Sequence, residues 1–544
     1  MPSPFFQALK AGDPGLPQDR TWWYLAYDQL HPHFLPSRPG RELGVVLIEW
    51  PGKAARRPYH RQKLALLLAN QRHFALELLA RGIAVDYRIT ELGYSAALIE
   101  AAKAHGTLRG VTPAERELRQ DLAPALAAQA LYLGPHPGWL TTAADFEGNT
   151  PGPPWRLDTF YRRARQRTGL LMDGKQPLGG RYSFDTENRR PWKGTPPAPR
   201  LPNFVPDAIT REVGALIEGR YAHHPGALHL EQLPSTAADA ETLVGWFLEH
   251  GLPHFGPYED AMSRSARTLF HSRLSGLLNL HRVWPRALID QVVKQEVPLS
   301  SKEGFLRQVL GWREFVRHVH QATDGFRRLP EGRPPVLSGP GDAGFGAWAG
   351  RDWPRGSGDG GACPSHLGAA RPLPSAYWGT PSGLACLDDV VRSVWDEGYS
   401  HHITRLMVLA NLGTLLDVDP RALTDWFWVA YQDAYDWVVE PNVLAMGTFA
   451  AGPLMTTKPY LSGAAYLAKM SDHCGACRYD PKKDCPITSL YWAFLGRHQA
   501  KLKGNPRLQV VLAAERNRRP EQRAQDQATF ERTSAALSRG ERLD

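Results

Sequence analysis

Apolar positions along the first 140 residues follow two alternating rhythms. Runs of strand length occur at TWWYLAY (from Thr21), GVVLIEW (from Gly44), IAVDYRIT and LYLGP, with a further short LRGVTP segment. Between them lie RQKLALLLANQRHFALELLARG, SAALIEAAKAHG and AERELRQDLAPALAAQA, where apolar residues return every three or four positions. Strands alternating with amphipathic helices predict a parallel sheet with helices on its faces. From about Thr141 to Pro202 the chain is rich in Pro, Gly and Arg, and only LDTFYRRARQRTGLLM reads as helical. From about Ser235 onward helical periodicity dominates, as in AETLVGWFLEHG, EGFLRQVLGWREFVRHVHQ, LDDVVRSVWDEGYSHHITRLMVLANLGTLL and ALTDWFWVAYQDAYDWVV. The expected organisation is a tail over 1–20, an α/β parallel-sheet domain over 21–140 and a long linker over 141–234. A large all-α domain over 235–500 and a helical tail over 501–544 complete it.

A Gly/Pro-rich insertion at 329–374 interrupts the helical part. Its two matches to G-x-G-x-x-G, starting at Gly339 and Gly356, follow no strand and open no helix, so they are accidents of composition.

Composition narrows the class. With 42% apolar and 22% charged residues, the 544-residue chain can bury a large core. No apolar run reaches the roughly 18 residues of a membrane span, and the N-terminus lacks the basic and apolar regions of a secretory signal. Five cysteines are too few for a disulfide scaffold, so a cytoplasmic monomer is expected. A net charge of +9 and a pI near 9.2 suit a polyanionic partner. Seventeen Trp, 18 Tyr and 19 Phe serve first as core, and are also a stock for stacking on bases or a flat cofactor.

Four constellations carry chemistry. In Cys474-Gly-Ala-Cys477-Arg-Tyr-Asp-Pro-Lys-Lys-Asp-Cys485-Pro486 three thiolates can close around one centre. Iron–sulfur and structural zinc both use such a set, and Cys386 is preferred over Cys363 as fourth ligand because it opens a well-patterned helix. In Glu397-Gly-Tyr-Ser-His401-His402-Ile-Thr-Arg405, helical spacing puts His402 beside Leu406 and Leu409, where an imidazole can donate a proton or simply pack. In Tyr431-Gln-Asp433-Ala-Tyr-Asp436-Trp437, followed by Pro441-Asn442, two carboxylates near Arg405 can form a buried ion pair or contact a polar ring edge. Phe270-His-Ser272-Arg-Leu274-Ser275-Gly places hydroxyls and small residues at a helix start, which can hold a diphosphate.

Taken in order, these segments resemble the cryptochrome/photolyase family, in its iron–sulfur bacterial branch of prokaryotic (6-4) photolyases. The resemblance runs from Thr21 to about His498 and includes Met172-Asp-Gly-Lys-Gln-Pro-Leu-Gly-Gly-Arg-Tyr-Ser-Phe-Asp185-Thr-Glu-Asn188-Arg189, Gly311-Trp312-Arg313-Glu314-Phe315 and Thr457-Lys-Pro-Tyr460. It implies a photolyase-like fold with a Rossmann-type N-terminal domain and FAD in the helical domain. FAD would be cradled by Ser272, Leu274 and Ser275, with Arg405 and Asp433 or Asp436 beside its ring and Asn442 near its reactive edge. It also implies a [4Fe-4S] cluster on Cys386, Cys474, Cys477 and Cys485, and electron transfer through Trp378 and Trp426, with Tyr460 and Tyr466 as further members. Trp312 and His402, with His401 beside it, would line a lesion pocket, and Asp185 and Asp260 would hold Mg²⁺ through water. The implied activity is light-dependent repair of UV-damaged DNA at (6-4) photoproducts, the alternative being a blue-light photoreceptor. A 6,7-dimethyl-8-ribityllumazine antenna is expected in the N-terminal domain. The chain departs from the family at Leu406, where animal-type (6-4) photolyases have a second histidine, and at Tyr27, where Gly is usual. The basic segment Trp50-Pro-Gly-Lys53-Ala-Ala-Arg56-Arg57 is a third departure.

Overall fold

The computed structural model describes residues 3–12, 20–149, 152–329, 332–336 and 361–544. Five strands, β1 (Thr21–Tyr24), β2 (Leu43–Glu49), β3 (Ala84–Ile89), β4 (Leu108–Val111) and β5 (Leu131–Gly134), form a sheet of order β3-β2-β1-β4-β5. Every pairing is parallel, with Thr21 opposite Leu43, Gly44 opposite Ala84 and Leu108 opposite Leu131. Strand β2 is buried along its whole length, as a central strand covered on both faces must be. Gly44 is required there because a Cβ would come within 2.4 Å of the Trp22 ring. The first apolar run stops being a strand at Tyr24, since the chain turns to meet the helical part and Leu30 donates its N–H to Leu280 O at 3.0 Å.

The expected N-terminal tail contains a helix, Pro4–Ala11, whose Phe5 is fully buried. Ser3 Oγ and the Phe5 N–H both donate to Glu212, which also receives Arg72. The stretch read as linker holds helices Ala143–Asn149, Leu157–Thr168 and Ala208–Arg220, and the last packs on Arg61–Ala80. The helical part includes Leu299–Leu306, Ala385–Glu397, Pro420–Ala430 and Pro486–Leu502. Helix Pro520–Ser538 packs on Pro486–Leu502, with the Arg497 guanidinium 3.4 Å from the Phe530 ring. Of the Gly/Pro-rich insertion, 332–336 and Gly361–Pro364 pair as a two-stranded ribbon. The first G-x-G-x-x-G match lies outside the described residues, as does the second except for Gly361. No helix among the described residues is long and apolar enough to cross a membrane.

Helix Arg61–Ala80 joins the two parts. His60 donates its N–H to Val429 O at 2.8 Å, and Lys63 Nζ donates to Trp428 O at 3.2 Å and Ala434 O at 2.5 Å. The chain segment that bears Asp433 is therefore fixed from the sheet side.

Candidate functional site

Three π-helical segments, Arg307–Arg313, Arg405–Ala410 and Glu440–Gly447, carry Trp312, Arg405 and Asn442. Extra residues of this kind inside helices re-aim side chains and often mark functional positions. Each segment, and the turn at Ser272–Ser275, presents half-buried side chains in otherwise buried chain. They are Gln308, Trp312 and Arg313; His402, Arg405 and Leu406; Val438, Asn442 and Met446; and Ser272, Arg273 and Ser275. Eight of these twelve partly accessible positions are polar, set among otherwise buried helices.

The Ser272–Ser275 turn is tight, with Arg273 in the left-handed region at φ 59°. Ser272 Oγ accepts the Leu274 N–H at 3.3 Å, and Leu274 is fully buried. The Ser275 hydroxyl bonds to Asp433. Arg405 Nη1 and Nη2 donate to the two Asp433 oxygens, each at 2.9 Å, while Arg405 Nε donates to Ser400 O at 2.8 Å. The guanidinium lies 4.0 Å from the Tyr431 ring centre. Burial alone would raise the Asp433 carboxyl, but Arg405 outweighs it and holds the group below its ordinary value. Asp436 is elsewhere: it accepts the Glu117 N–H at 3.0 Å across the domain seam. Of the two expected partners for Arg405, the structure supplies Asp433. Asn442 Nδ2 donates to Val438 O at 2.8 Å. A cavity of about 400 Å³ flanks the turn, lined by Arg267, Thr268, Arg273, Gly276, Leu277 and Gln432.

His402 belongs to a cluster of three imidazoles. His271 stacks on His401 at 4.3 Å with 7° between planes and meets His402 edge-on at 5.4 Å. The cluster was illegible as such, because His271 sits in the diphosphate-type motif 130 positions before His401.

Trp378 and Trp426 do not touch in sequence-neighbour fashion; Trp395, which the sequence reading missed, lies between them. It stacks on Trp378 at 5.3 Å and meets Trp426 at 6.0 Å. Trp395 Nε1 and Trp426 Nε1 both donate to Tyr377 O, at 2.8 and 2.9 Å. Tyr431 follows Trp426 at 6.1 Å, so aromatic rings lead to Arg405. Tyr460 and Tyr466 sit instead beside the acidic pair, where Asp185 acts on both and Tyr466 bonds Asp260.

That acidic pair does not fit Mg²⁺. Arg189 bonds Asp185 and lies 3.6 Å from Asp260, and Arg307 Nη1 donates to Asp185 at 3.1 Å. Arginine already occupies the place between the carboxylates where a cation would sit, and no third metal-binding side chain joins them among the described residues. Burial pushes the Asp260 carboxyl up to about 7.

The structure brings Cys386, Cys474, Cys477 and Cys485 together. Burial pushes the Cys386 thiol up, and the other three add to the rise in that order of Cys485, Cys474 and Cys477. Cys485 immediately precedes helix Pro486–Leu502, and the Cys474 turn is tied to the Cys386 helix by His473 Nδ1, 3.3 Å from Asp389. Cys363 is in the ribbon, paired along the backbone with Arg333.

At the domain seam a cavity of about 150 Å³ is lined by Tyr27, Trp50, Lys53, Glu115, Trp428 and Tyr435. The basic Lys53–Arg57 segment beside it is countered from the facing helix. Lys53 bonds Glu117, Arg56 pairs with Asp121 at 2.7 Å and Arg57 with Glu117 at 2.9 Å.

The overall fold is that of photolyases and cryptochromes. It matches a bacterial class III photolyase from Agrobacterium tumefaciens with a TM-score of 0.52 and 14% identity, covering 96% of this chain and 99% of the other. It matches the Synechocystis sp. PCC6803 cryptochrome with a TM-score of 0.51 and 15% identity over the same shares. A family profile described as deoxyribodipyrimidine photo-lyase-related protein matches residues 24–232. The (6-4) photolyase of Agrobacterium fabrum is 33% identical over 511 residues, 88% of this chain and 92% of that protein. An uncharacterised Acanthamoeba polyphaga mimivirus protein is 34% identical over 102 residues, 19% of this chain and 80% of its own length. The chain belongs to the cryptochrome/photolyase family, on the branch of the bacterial (6-4) photolyases.

Proposed function

We propose that the protein is a light-dependent DNA repair enzyme that reverses (6-4) pyrimidine photoproducts, with FAD held among its C-terminal helices. The observation that carries this reading is the bidentate Arg405–Asp433 pair, set between the Ser272–Ser275 turn and the half-buried His402. The activity of the Agrobacterium relative points the same way. FAD held there would supply the photochemistry, reversible one-electron donation to a flipped-out lesion. The chain's own residues do the rest. Ser272, Ser275 and the N–H groups of their turn hold the diphosphate. Arg405 offsets negative charge at the ring edge, and Asp433 fixes the guanidinium plane. Trp312 offers an aromatic face to the extruded base. His402 gives its ring N–H proton to the lesion as that becomes an anion, and takes it back when the bond is restored. Trp378, Trp395 and Trp426 form a route by which electrons from solvent reach the site.

A [4Fe-4S] cluster on Cys386, Cys474, Cys477 and Cys485 suits the cysteine arrangement. Each of the other three thiols acts on that of Cys386. The seam cavity suits a bicyclic heteroaromatic antenna of the lumazine type, between Trp50, Tyr94 and Tyr435.

Reduced, illuminated protein is expected to restore an oligonucleotide carrying a (6-4) lesion, and His402→Ala to abolish restoration while keeping bound flavin. Flavin that photoreduces normally while no pyrimidine lesion is restored would reject repair and leave the photoreceptor role. Replacing any of the four cysteines by Ser is expected to lose iron, measured by metal analysis, whereas Cys363→Ser keeps it.

A further inference from the structure

The Ser272–Ser275 turn is anchored at two points. At its end the Ser275 hydroxyl bonds Asp433. At its middle Arg273 holds φ 59°, a left-handed conformation that L residues adopt only at a cost, which a contact outside the backbone must offset. The Arg273 side chain, 8% exposed, supplies that contact. Its Nη1 donates to Glu397 Oε2 at 2.6 Å, and its guanidinium lies 4.1 Å from the Tyr399 ring centre. The other Glu397 oxygen accepts Arg267 Nη1 at 2.9 Å, and the same nitrogen donates to Asp396 at 2.8 Å. One carboxylate therefore grips the segment that makes the turn both before it and within it.

Glu397 closes helix Ala385–Glu397, and Gly398 follows in the left-handed region at φ 61°, donating its N–H to Val394 O at 2.8 Å. A carboxylate in the last turn meets the negative end of the helix dipole, so the helix itself is not stabilised by Glu397. Its two guanidinium partners are what offset that position. The chain leaving Glu397 serves the other half of the same site. Gly398 O accepts the Gln432 N–H at 2.9 Å, next to Asp433, and Ser400 O accepts Arg405 Nε at 2.8 Å. The Tyr399 ring is shared by both arginines, lying 5.6 Å from the Arg405 guanidinium. The turn and the Arg405–Asp433 pair thus take their relative placement from residues 397–400. Glu397 is the member of that stretch that reaches the turn through a charge-assisted hydrogen bond.

We propose that Glu397 is a positioning residue for flavin binding: through Arg273 it fixes the Ser272–Ser275 turn in its left-handed conformation, at a set place relative to Arg405. This rests on the reading that the turn holds the diphosphate of FAD. Glu397 stands 124 positions after Arg273, so nothing in the local pattern of either segment declares the link. Without the carboxylate, the Arg273 guanidinium stays buried with no charged acceptor and the turn can relax. The consequence falls on the diphosphate half of the cofactor rather than on its ring.

The test compares the full-length, flavin-loaded parent with Glu397→Gln, Arg273→Gln and the double variant. Flavin release, followed as FAD fluorescence rises on dilution, is expected to be about tenfold faster in each single variant, with circular dichroism unchanged. The double variant should release flavin no more than about twofold faster than either single one, as residues acting through one contact do. The ³¹P resonances of the bound diphosphate should shift in Glu397→Gln, whereas the absorption band of the flavin ring keeps its position and shape. Arg273→Gly removes the backbone strain together with the side chain, and should still release flavin faster than the parent. A parent-like release rate or ³¹P spectrum in Glu397→Gln would overturn the proposal, as would a double variant whose rate multiplies the two single effects. Should Glu397→Gln fail to fold, Glu397→Asp carries the test. Its shortened carboxylate is expected to release flavin about threefold faster, and a parent-like rate would count against the proposal. Parent protein that holds flavin but restores no lesion would refute the repair reading and leave the role of Glu397 standing, whereas parent protein that takes up no flavin would overturn both.

Discussion

Arg405 shows how one side chain can serve several segments at once. It bonds Asp433 through both terminal nitrogens, bonds the Ser400 carbonyl through Nε and lies over Tyr431. Three restraints leave the guanidinium one orientation, which an aromatic ring edge placed against it would require. Tyr431 in turn begins the aromatic series through Trp426 and Trp395 to Trp378. Trp395 is the link that decides whether this series is continuous, since Trp378 reaches Trp426 through it. It is also half-buried, whereas Trp426 and Trp378 are buried, so oxidising charge can leave the protein at Trp395. Trp395→Phe removes the indole and keeps an apolar ring. Flavin photoreduction with an added thiol, followed by absorbance under blue light, is expected to slow by an order of magnitude with flavin content unchanged. An unaltered rate would show that electrons enter by another route.

Elements differ in how openly the sequence declares them. Strand β2 reads from LGVVLIE because a central parallel strand is apolar on both faces. Helix Arg61–Ala80 reads from its length and apolar spacing. The HSRLSG turn, the cysteine spacing and the Arg405/Asp433 region are legible because each is a local pattern of chemically demanding residues. The π-helical segments are not legible: one extra residue per turn leaves no mark in composition, yet it re-aims Trp312, Arg405 and Asn442. Trp395 is also hidden, because it acquires its role from Trp378 and Trp426, which reach it only in the fold. Gly304, within helix Leu299–Leu306, makes the point quantitatively. By propensity alone Gly304→Ala should stabilise the helix by about 0.8–1 kcal/mol. The added Cβ would instead press on Asn188 and Glu259 at 2.9 and 3.1 Å, and neither buried partner has room to retreat. Gly304→Ala is therefore expected to lower the thermal midpoint, measured by heat denaturation. A simple gain in stability would show the network to be looser than its distances indicate.

At the scale of the molecule, several polar groups buried where the two parts meet are held uncharged. His60 shows the logic. Its Nδ1 accepts the Gln62 N–H at 3.0 Å, capping helix Arg61–Ala80, so the ring proton is on Nε2, which lies 3.1 Å from Trp395 O. Both nitrogens are satisfied only in the neutral form, and burial draws the imidazole down to about 4. In the unfolded chain it titrates at about 6.5. Between these values the unfolded state binds the proton and the folded state does not, so this contribution is fully present above about pH 6.5 and is lost as pH falls toward 4. The slope is about 1.4 kcal/mol per pH unit. His136 and His281, also at the seam, act in the same direction, whereas Asp28, raised to about 7 by burial, opposes them. The net acid response therefore mixes signs, and comparison with a variant isolates one group. His60→Asn keeps a side-chain acceptor for the Gln62 N–H, since Asn is a good cap, and removes the titration. Its denaturant midpoint at pH 7.5 is expected to be lower than the parent's because the bond to Trp395 O is lost. Between pH 6.5 and 4.5 the variant should lose stability less steeply, so that the two curves approach each other. Parallel curves would mean that His60 is already protonated when folded, and that the seam is open to water at neutral pH.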